Sequence, residues 1–142
     1  MSKTSSPASP QTVLGFDYGK VRTGVAVGQS VTGTATALTT LTSRNHKPDW
    51  DGIAALISEW RPDALVVGIP VHMDGSEQEM TQAARKFGRQ LHGRFQLPVY
   101  EAEERLSSME AEQHLGSNND KGAIDREAAR LILQSWLEQQ LN

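Results

Sequence analysis

The stretch Ala64-Leu65-Val66-Val67-Gly68-Ile69 is apolar at every position and is framed by Pro62 and Pro70. A strand of this kind has no face to give to water, so it belongs inside a sheet with helices on both sides. That requirement points to an α/β fold, and the rest of the chain supplies the other pieces. Val13-Leu14-Gly15-Phe16-Asp17-Tyr18 reads as a short strand ending in an acid, and Thr23 to Gly28 and Thr34 to Leu41 read as two more. Their close spacing and Gly-containing connections predict an antiparallel meander. From Asp49 to Trp60, the apolar residues Trp50, Ile53, Ala54, Ile57 and Trp60 recur at helical spacing, and Pro62 follows as a stop. Ser76 and Glu79 form an S-x-x-E capping box ahead of a helix whose apolar face is Met80, Ala83, Ala84, Phe87 and Leu91.

Leu97 to Ala102 reads as a further strand. Ser107 and Glu110 make a second capping box opening a short helix toward Leu115, residues 116–120 read as a loop, and Gly122 to Leu141 as a long final helix. The order β-β-β-α-β-α-β-α-α predicts a mixed five-stranded sheet, three antiparallel strands and then two parallel, with flanking helices. Residues 1–11, polar with Pro7 and Pro10, read as a disordered tail, and residues 12–142 as one domain.

Composition narrows the chemistry such a domain can perform. The chain contains no cysteine, which excludes a disulfide scaffold, a thiolate metal site and a cysteine nucleophile. No apolar run approaches the ~20 residues of a membrane span, and the first eleven residues hold no apolar signal core, so a soluble cytoplasmic protein is expected. With 14 Lys and Arg against 17 Asp and Glu, the net charge is −3, which weakly disfavours a general nucleic-acid binder.

The acids, however, stand in unusual places. Asp17 is in register with Val13 and Gly15, on a strand face that should be partly covered. Glu101, Glu103 and Glu104 crowd a strand end just before Arg105. Asp125 continues the apolar stripe of Ala128, Ala129, Ile132 and Trp136 on the last helix, where a carboxylate is costly unless paired. Each has a plain alternative: Asp17 caps the turn at Gly19, the glutamates form a solvated edge, and Asp125 is a helix N-terminal charge partnered by Lys121. Taken together, clustered carboxylates without His or Cys ligands suit a hard cation such as Mg²⁺ or Mn²⁺. Two such ions about 3.5–4 Å apart clamp the attacking and leaving oxygens of a phosphodiester. Setting Asp17, Glu101, Glu103, Glu104 and Asp125 aside leaves 14 cations against 12 acids, a net +2.

Other polar residues carry two readings. Lys20 and Arg22 flank the Asp17 turn, either as phosphate contacts or as solvated turn residues. Arg85, Lys86 and Arg89, with His92 and Arg94 beyond, form either a phosphate stripe or a solvated helix face. Arg105 is expected to pair with a neighbouring acid. His46, His72, His92 and His114 are scattered, and Trp50, Trp60 and Trp136 fall on apolar helix faces as core residues.

Four blocks occur in order. They are Phe16-Asp17-Tyr18-Gly19-x-x-Arg22-Thr23-Gly24-Val25-Ala26-Val27-Gly28, then Val67-Gly68-Ile69-Pro70-x-x-Met73-Asp74-Gly75. Glu103-Glu104-Arg105-Leu106-Ser107-Ser108-x-Glu110-Ala111 and Lys121-Gly122-x-Ile124-Asp125-x-x-Ala128-Ala129 follow. Together they resemble the motifs of the YqgF family, also called the RuvX family, over residues 12–141. The resemblance implies a ribonuclease H-like fold and a nuclease that matures the 5′ end of pre-16S ribosomal RNA. It implies Asp17, Glu104 and Asp125 as catalytic, metal-binding acids for Mg²⁺ or Mn²⁺, with Lys20, Arg22, Arg105 and Lys121 as candidate substrate contacts. The third block usually reads Asp-Glu-Arg, so Glu103 in the Asp position leaves open which glutamate faces the metal. The 116–120 loop is also shorter than the family's Gly-rich loop.

Nucleic acid is the expected partner, pre-ribosomal RNA favoured and structured DNA possible, in a monomer or homodimer with no membrane role. A four-way DNA junction resolvase and a non-catalytic RNA-binding regulator of the same fold are the alternatives. The Asp17-x-Gly19-x-x-Arg22-x-Gly24 pattern also resembles the first phosphate loop of actin-type and sugar-kinase ATP-binding proteins, whose cleft needs two such domains where this length holds one.

Overall fold

The computed structural model describes residues 11–104 and 121–140. Strand β1 (Thr12–Asp17) pairs antiparallel with β2 (Arg22–Gln29), which pairs antiparallel with β3 (Thr34–Thr42). On the other side of β1, β4 (Ala64–Pro70) is parallel to it, and β5 (Val99–Glu104) is parallel to β4. The five-stranded sheet therefore has the order β3-β2-β1-β4-β5, three antiparallel strands and then two parallel, as expected. The helices are α1 (Trp50–Trp60), α2 (Glu79–Phe95) and α3 (Lys121–Gln140). No helix among the described residues is long and apolar enough to cross a membrane.

The alternation of side chains along each strand sorts the core into two layers. Leu14, Phe16, Val25, Val27, Leu65, Val67 and Ile69 pack with Ile53 of α1 and with Phe87 and Leu91 of α2. Val13, Ala26, Ala35 and Val66 pack with Ala129, Ile132, Leu133, Trp136 and Leu137 of α3. β4 serves both layers, which is why it is apolar throughout. The sheet face beneath α3 is built from small residues. A Cβ at Gly15 would sit 2.9 Å from the Leu133 Cβ, and one at Gly68 only 2.4 Å from the Ile132 side chain. Without side chains in the way, α3 lies close against the strands.

Several boundaries differ from the sequence expectations. The S-x-x-E box is not the cap of α2. Ser76 donates its N–H and hydroxyl to the Asp74 carboxylate, at 2.9 and 2.6 Å, and closes a turn instead. The N-cap is Gln78, whose N–H donates to the Thr81 hydroxyl at 2.7 Å, while that hydroxyl donates to the Pro70 carbonyl. Buried Thr81 thereby ties the helix start to the end of β4, a long-range tie that the local S-x-x-E pattern does not register. α1 starts one residue later than expected, with the Asp49 carboxylate accepting from the Gly52 N–H and Arg61 ending the helix in the left-handed conformation (φ 47°). β5 runs to Glu104 rather than Ala102, because parallel pairing with β4 continues to Pro70. The 1–10 part of the expected tail, the Ser107/Glu110 box with its short helix, the 116–120 loop and Arg105 lie outside the described residues.

Candidate active site

Because β1, β4 and β5 run parallel and β2 opposes them, the last residues of β1 and β5 and the first of β2 lie at one end of the sheet. Asp17 ends β1, Glu104 ends β5 and Arg22 opens β2. Asp17 continues the Val13–Gly15 face, beneath α3. On β5 the faces are equally clear. The Tyr100 ring lies 5.4 Å from Trp136 of α3 and Ala102 packs into the α3-side layer, so Glu104, two residues on, shares that side with Asp17. Glu101 is on the other side, 3.7 Å from Arg85 of α2, and Glu103 shares its face. Of the two glutamates left open by the sequence, Glu104 is the one on the Asp17 face.

Asp125 is delivered from the opposite direction by the first turns of α3. Gly24 pairs with Asp17 in the β1–β2 register. A Cβ on Gly24 would come within 1.9 Å of the Asp125 carbonyl oxygen, so only glycine lets α3 rest here. The Thr40 hydroxyl donates to the Gly122 carbonyl and fastens the same turn to β3. A helix start, a strand end and a second strand end thus bring three acids toward one another.

The electrostatics record the crowding. Asp17 is pushed from an ordinary value of 3.8 up to about 7, first by burial and then by the negative charges of Glu104 and Asp125. A buried carboxyl facing two more favours a positive charge beside it, and an all-oxygen donor set suits a hard divalent cation. In their present rotamers no three acid or histidine side chains among the described residues close around a single point. Asp125 is instead turned toward Arg22, whose Nε donates to its Oδ2 at 2.7 Å. The donor chemistry fits Mg²⁺ or Mn²⁺, and Arg22 supplies the positive charge seen at Asp125.

Replacing Arg22 with Gln leaves the three carboxylates without that counter-charge. The metal-free protein is then expected to lose roughly 1 kcal/mol of stability, the scale of a partly exposed ion pair. Stabilisation by added Mn²⁺ should grow. Melting curves in EDTA and in Mn²⁺ check both, and an unchanged metal-free transition would refute the counter-ion role.

The other candidates separate. Lys20 pairs with Glu79 at 3.2 Å, both well exposed, at the mouth of a cleft of about 420 Å³ between the 18–22 turn and the start of α2. Val21, Met80 and Asp125 also line that cleft. Lys121 opens α3, but its side chain lies outside the described residues, and the partner seen for Asp125 is Arg22. On α2, where a phosphate stripe and a solvated face were the two readings, Arg85 is engaged by Glu77 at 3.0 Å and by Glu101. A larger groove of about 620 Å³ between α2 and β5 includes none of the three acids. Trp50 stacks on Phe87 beneath the Arg94 guanidinium, and Trp136 is buried, so both are core residues. Gly24 and Thr40 were not singled out in the sequence. The Gly24-x-Ala26-x-Gly28 alternation was the available signal, a strand face that carries almost no side chain.

Known proteins resemble this chain in sequence and in fold. The RuvX family, described as Holliday junction resolvase, matches residues 11–139. A Colwellia psychrerythraea protein named "Putative pre-16S rRNA nuclease" is 47% identical over 144 residues, covering 98% of this chain and 97% of its own. A protein of the same name from Nitrosococcus oceani is 50% identical over 139 residues, covering 95% and 91%. Among solved structures, the fowlpox virus resolvase with Holliday junction DNA superposes with a TM-score of 0.61 at 14% identity, over 93% of this chain and 100% of that one. The T. thermophilus RuvC in complex with Holliday junction substrate gives 0.56 at 14% identity, over 93% and 97%. At such identities the likeness is one of fold, and that fold is ribonuclease H-like.

Proposed function

The chain belongs to the RuvX family and is a nuclease, a hydrolase of phosphodiester bonds; on that premise we propose that it acts with a divalent cation in maturing the 5′ end of pre-16S ribosomal RNA. The observation that carries this reading is the raised Asp17, a carboxyl held against Glu104 and Asp125 at a strand end. Asp17, Glu104 and Asp125 would hold Mg²⁺ or Mn²⁺. Bound there, the ion supplies Lewis-acid stabilisation of charge at the scissile phosphate and a water nucleophile at neutral pH. The chain's own part is to place the three carboxylates. β1 and β5 present two from the sheet, and the seat at Gly24 fixes the third. Lys20 and Arg22 edge the cleft and would meet a phosphate backbone there. A cytoplasmic protein, located where ribosomal RNA is processed, goes with this reading.

The test is a panel of labelled substrates, namely a pre-16S 5′ leader, an unrelated RNA stem and a four-way DNA junction, each with and without Mn²⁺. The expected result is Mn²⁺-dependent cleavage of the leader in preference to the others. Cleavage without any divalent cation would overturn the metal role. Preferred symmetric cutting of the junction would move the substrate to DNA, the alternative favoured by the junction-bound structures of the same fold.

A further inference from the structure

Beyond β3, at the same end of the sheet as Asp17, the chain makes a two-residue hairpin through Arg44, Asn45, His46 and Lys47. Arg44 and Lys47 exchange both backbone hydrogen bonds, at 2.8 and 2.9 Å, and Asn45 and His46 both take positive φ, 53° and 65°. Two left-handed residues suit the twist of a tight hairpin. Asn and His are both among the non-glycine residues that take up that region most readily. The consequence for the flanking pair is specific. Directly opposed residues in an antiparallel pair put their side chains on one face, with Cα atoms ~5.5 Å apart when they exchange both bonds. Like charges in that arrangement repel and destabilise the pair.

Among the described residues nothing relieves the repulsion. All four residues are exposed. Among the described residues no carboxylate pairs with Arg44 or Lys47. Asp49, two residues on, is committed to the Gly52 N–H at 3.0 Å. Among the described residues, the hairpin therefore holds two cations side by side on a tight turn with no carboxylate paired to either.

Its position relates it to the carboxylates. Thr40 pairs with Gly24, which pairs with Asp17, and the Ser43 N–H donates to the Val21 carbonyl at 2.8 Å. Two strand spacings across and four residues along place Arg44 roughly 16 Å from Asp17. Lys20 and the exposed Val21 lie on the turn to which the hairpin is bonded.

We propose that the Arg44–Lys47 hairpin is a phosphate clamp, gripping the nucleic-acid backbone a few nucleotides from the scissile bond on the β3 side. This rests on the nuclease reading above and adds to it where the substrate strand runs. The Asp17→Asn protein, used so that bound substrate stays intact, would be titrated by fluorescence anisotropy with a labelled RNA stem-loop and with the matching DNA over a range of salt concentrations. Adding Arg44→Gln with Lys47→Gln is expected to weaken binding about tenfold near 0.1 M salt. It should also flatten the plot of log Kd against log salt by roughly 1.5, two phosphate contacts' worth. The exchanged pair Arg44→Lys with Lys47→Arg keeps both charges and should keep the slope. An unchanged slope in the Gln pair overturns the clamp. So does an equal loss in the charge-keeping pair, which would make the hairpin merely structural. If the Asp17→Asn protein with its hairpin intact binds neither RNA nor DNA, the nuclease reading itself fails, and the clamp with it.

Discussion

Asp17→Asn is expected to abolish cleavage while making the metal-free protein more stable above pH 7. The loss follows from the site, because one of three acids that would hold the cation becomes a neutral amide. With several kcal/mol of transition-state stabilisation at stake, the rate should fall by on the order of 10³ or more. The gain follows from the same burial. In the native protein Asp17 titrates at about 7 rather than 3.8. Between those values the folded state binds more protons than the unfolded state, so stability declines as pH rises from about 4 to 7 and is level above. The rise from 3.8 to about 7 sets an upper limit of roughly 4 kcal/mol on this destabilisation. Asparagine has nothing to ionise. In EDTA the variant should therefore melt several degrees above the native protein at pH 8, with the gap closing toward pH 4. Equal melting at both pH values would refute the buried, crowded carboxyl. Mn²⁺ should narrow the gap at pH 8 from the other side, by stabilising the native protein alone.

Gly24→Ala is the second large effect. Its added methyl would meet the Asp125 carbonyl oxygen at 1.9 Å and the carbonyl carbon at 2.4 Å. Both are backbone atoms of a helix also held by Thr40, so neither can turn aside. α3 must lift from β2, opening the core at Leu133 and Leu137 and withdrawing Asp125 from Asp17. The expected cost is about 3 kcal/mol or more, beyond ordinary overpacking, together with loss of cleavage. Gly28→Ala is the control. There the nearest contact, at 2.7 Å, is the Leu137 Cδ1, the far end of a flexible side chain. It should cost about 1 kcal/mol and spare activity. Urea unfolding of both variants reads the difference, and comparable costs at the two positions would show that backbone contact is not what seats the helix.

Both effects arise from relations that local sequence patterns do not carry. The strands, the helix faces and the mix of three antiparallel and two parallel strands could be read in advance, because they follow from local periodicity and from the order of the elements. Ala64 to Ile69 had to be covered on both sides, and it is. Ser76 misled because an S-x-x-E pattern is satisfied as well by a turn closed on Asp74 as by a helix cap, and the tie between Thr81 and Pro70 spans eleven residues. The three acids stood out individually, as charges on faces that should be covered.

What the sequence determined by itself was the architecture, the family and the identity of the acids worth considering, since each is written in short-range pattern and motif. Only the tertiary structure decided which glutamate joins Asp17, because one further strand pairing step sends Glu104 to the α3 face and Glu103 to the other. It alone decided that Asp125 is held by Arg22, 103 residues away, and that Gly24 is the surface on which α3 rests. Those facts depend on how closely two distant pieces of backbone approach, and that distance is set by the packing of whole faces, to which no single residue's neighbours in the chain bear witness.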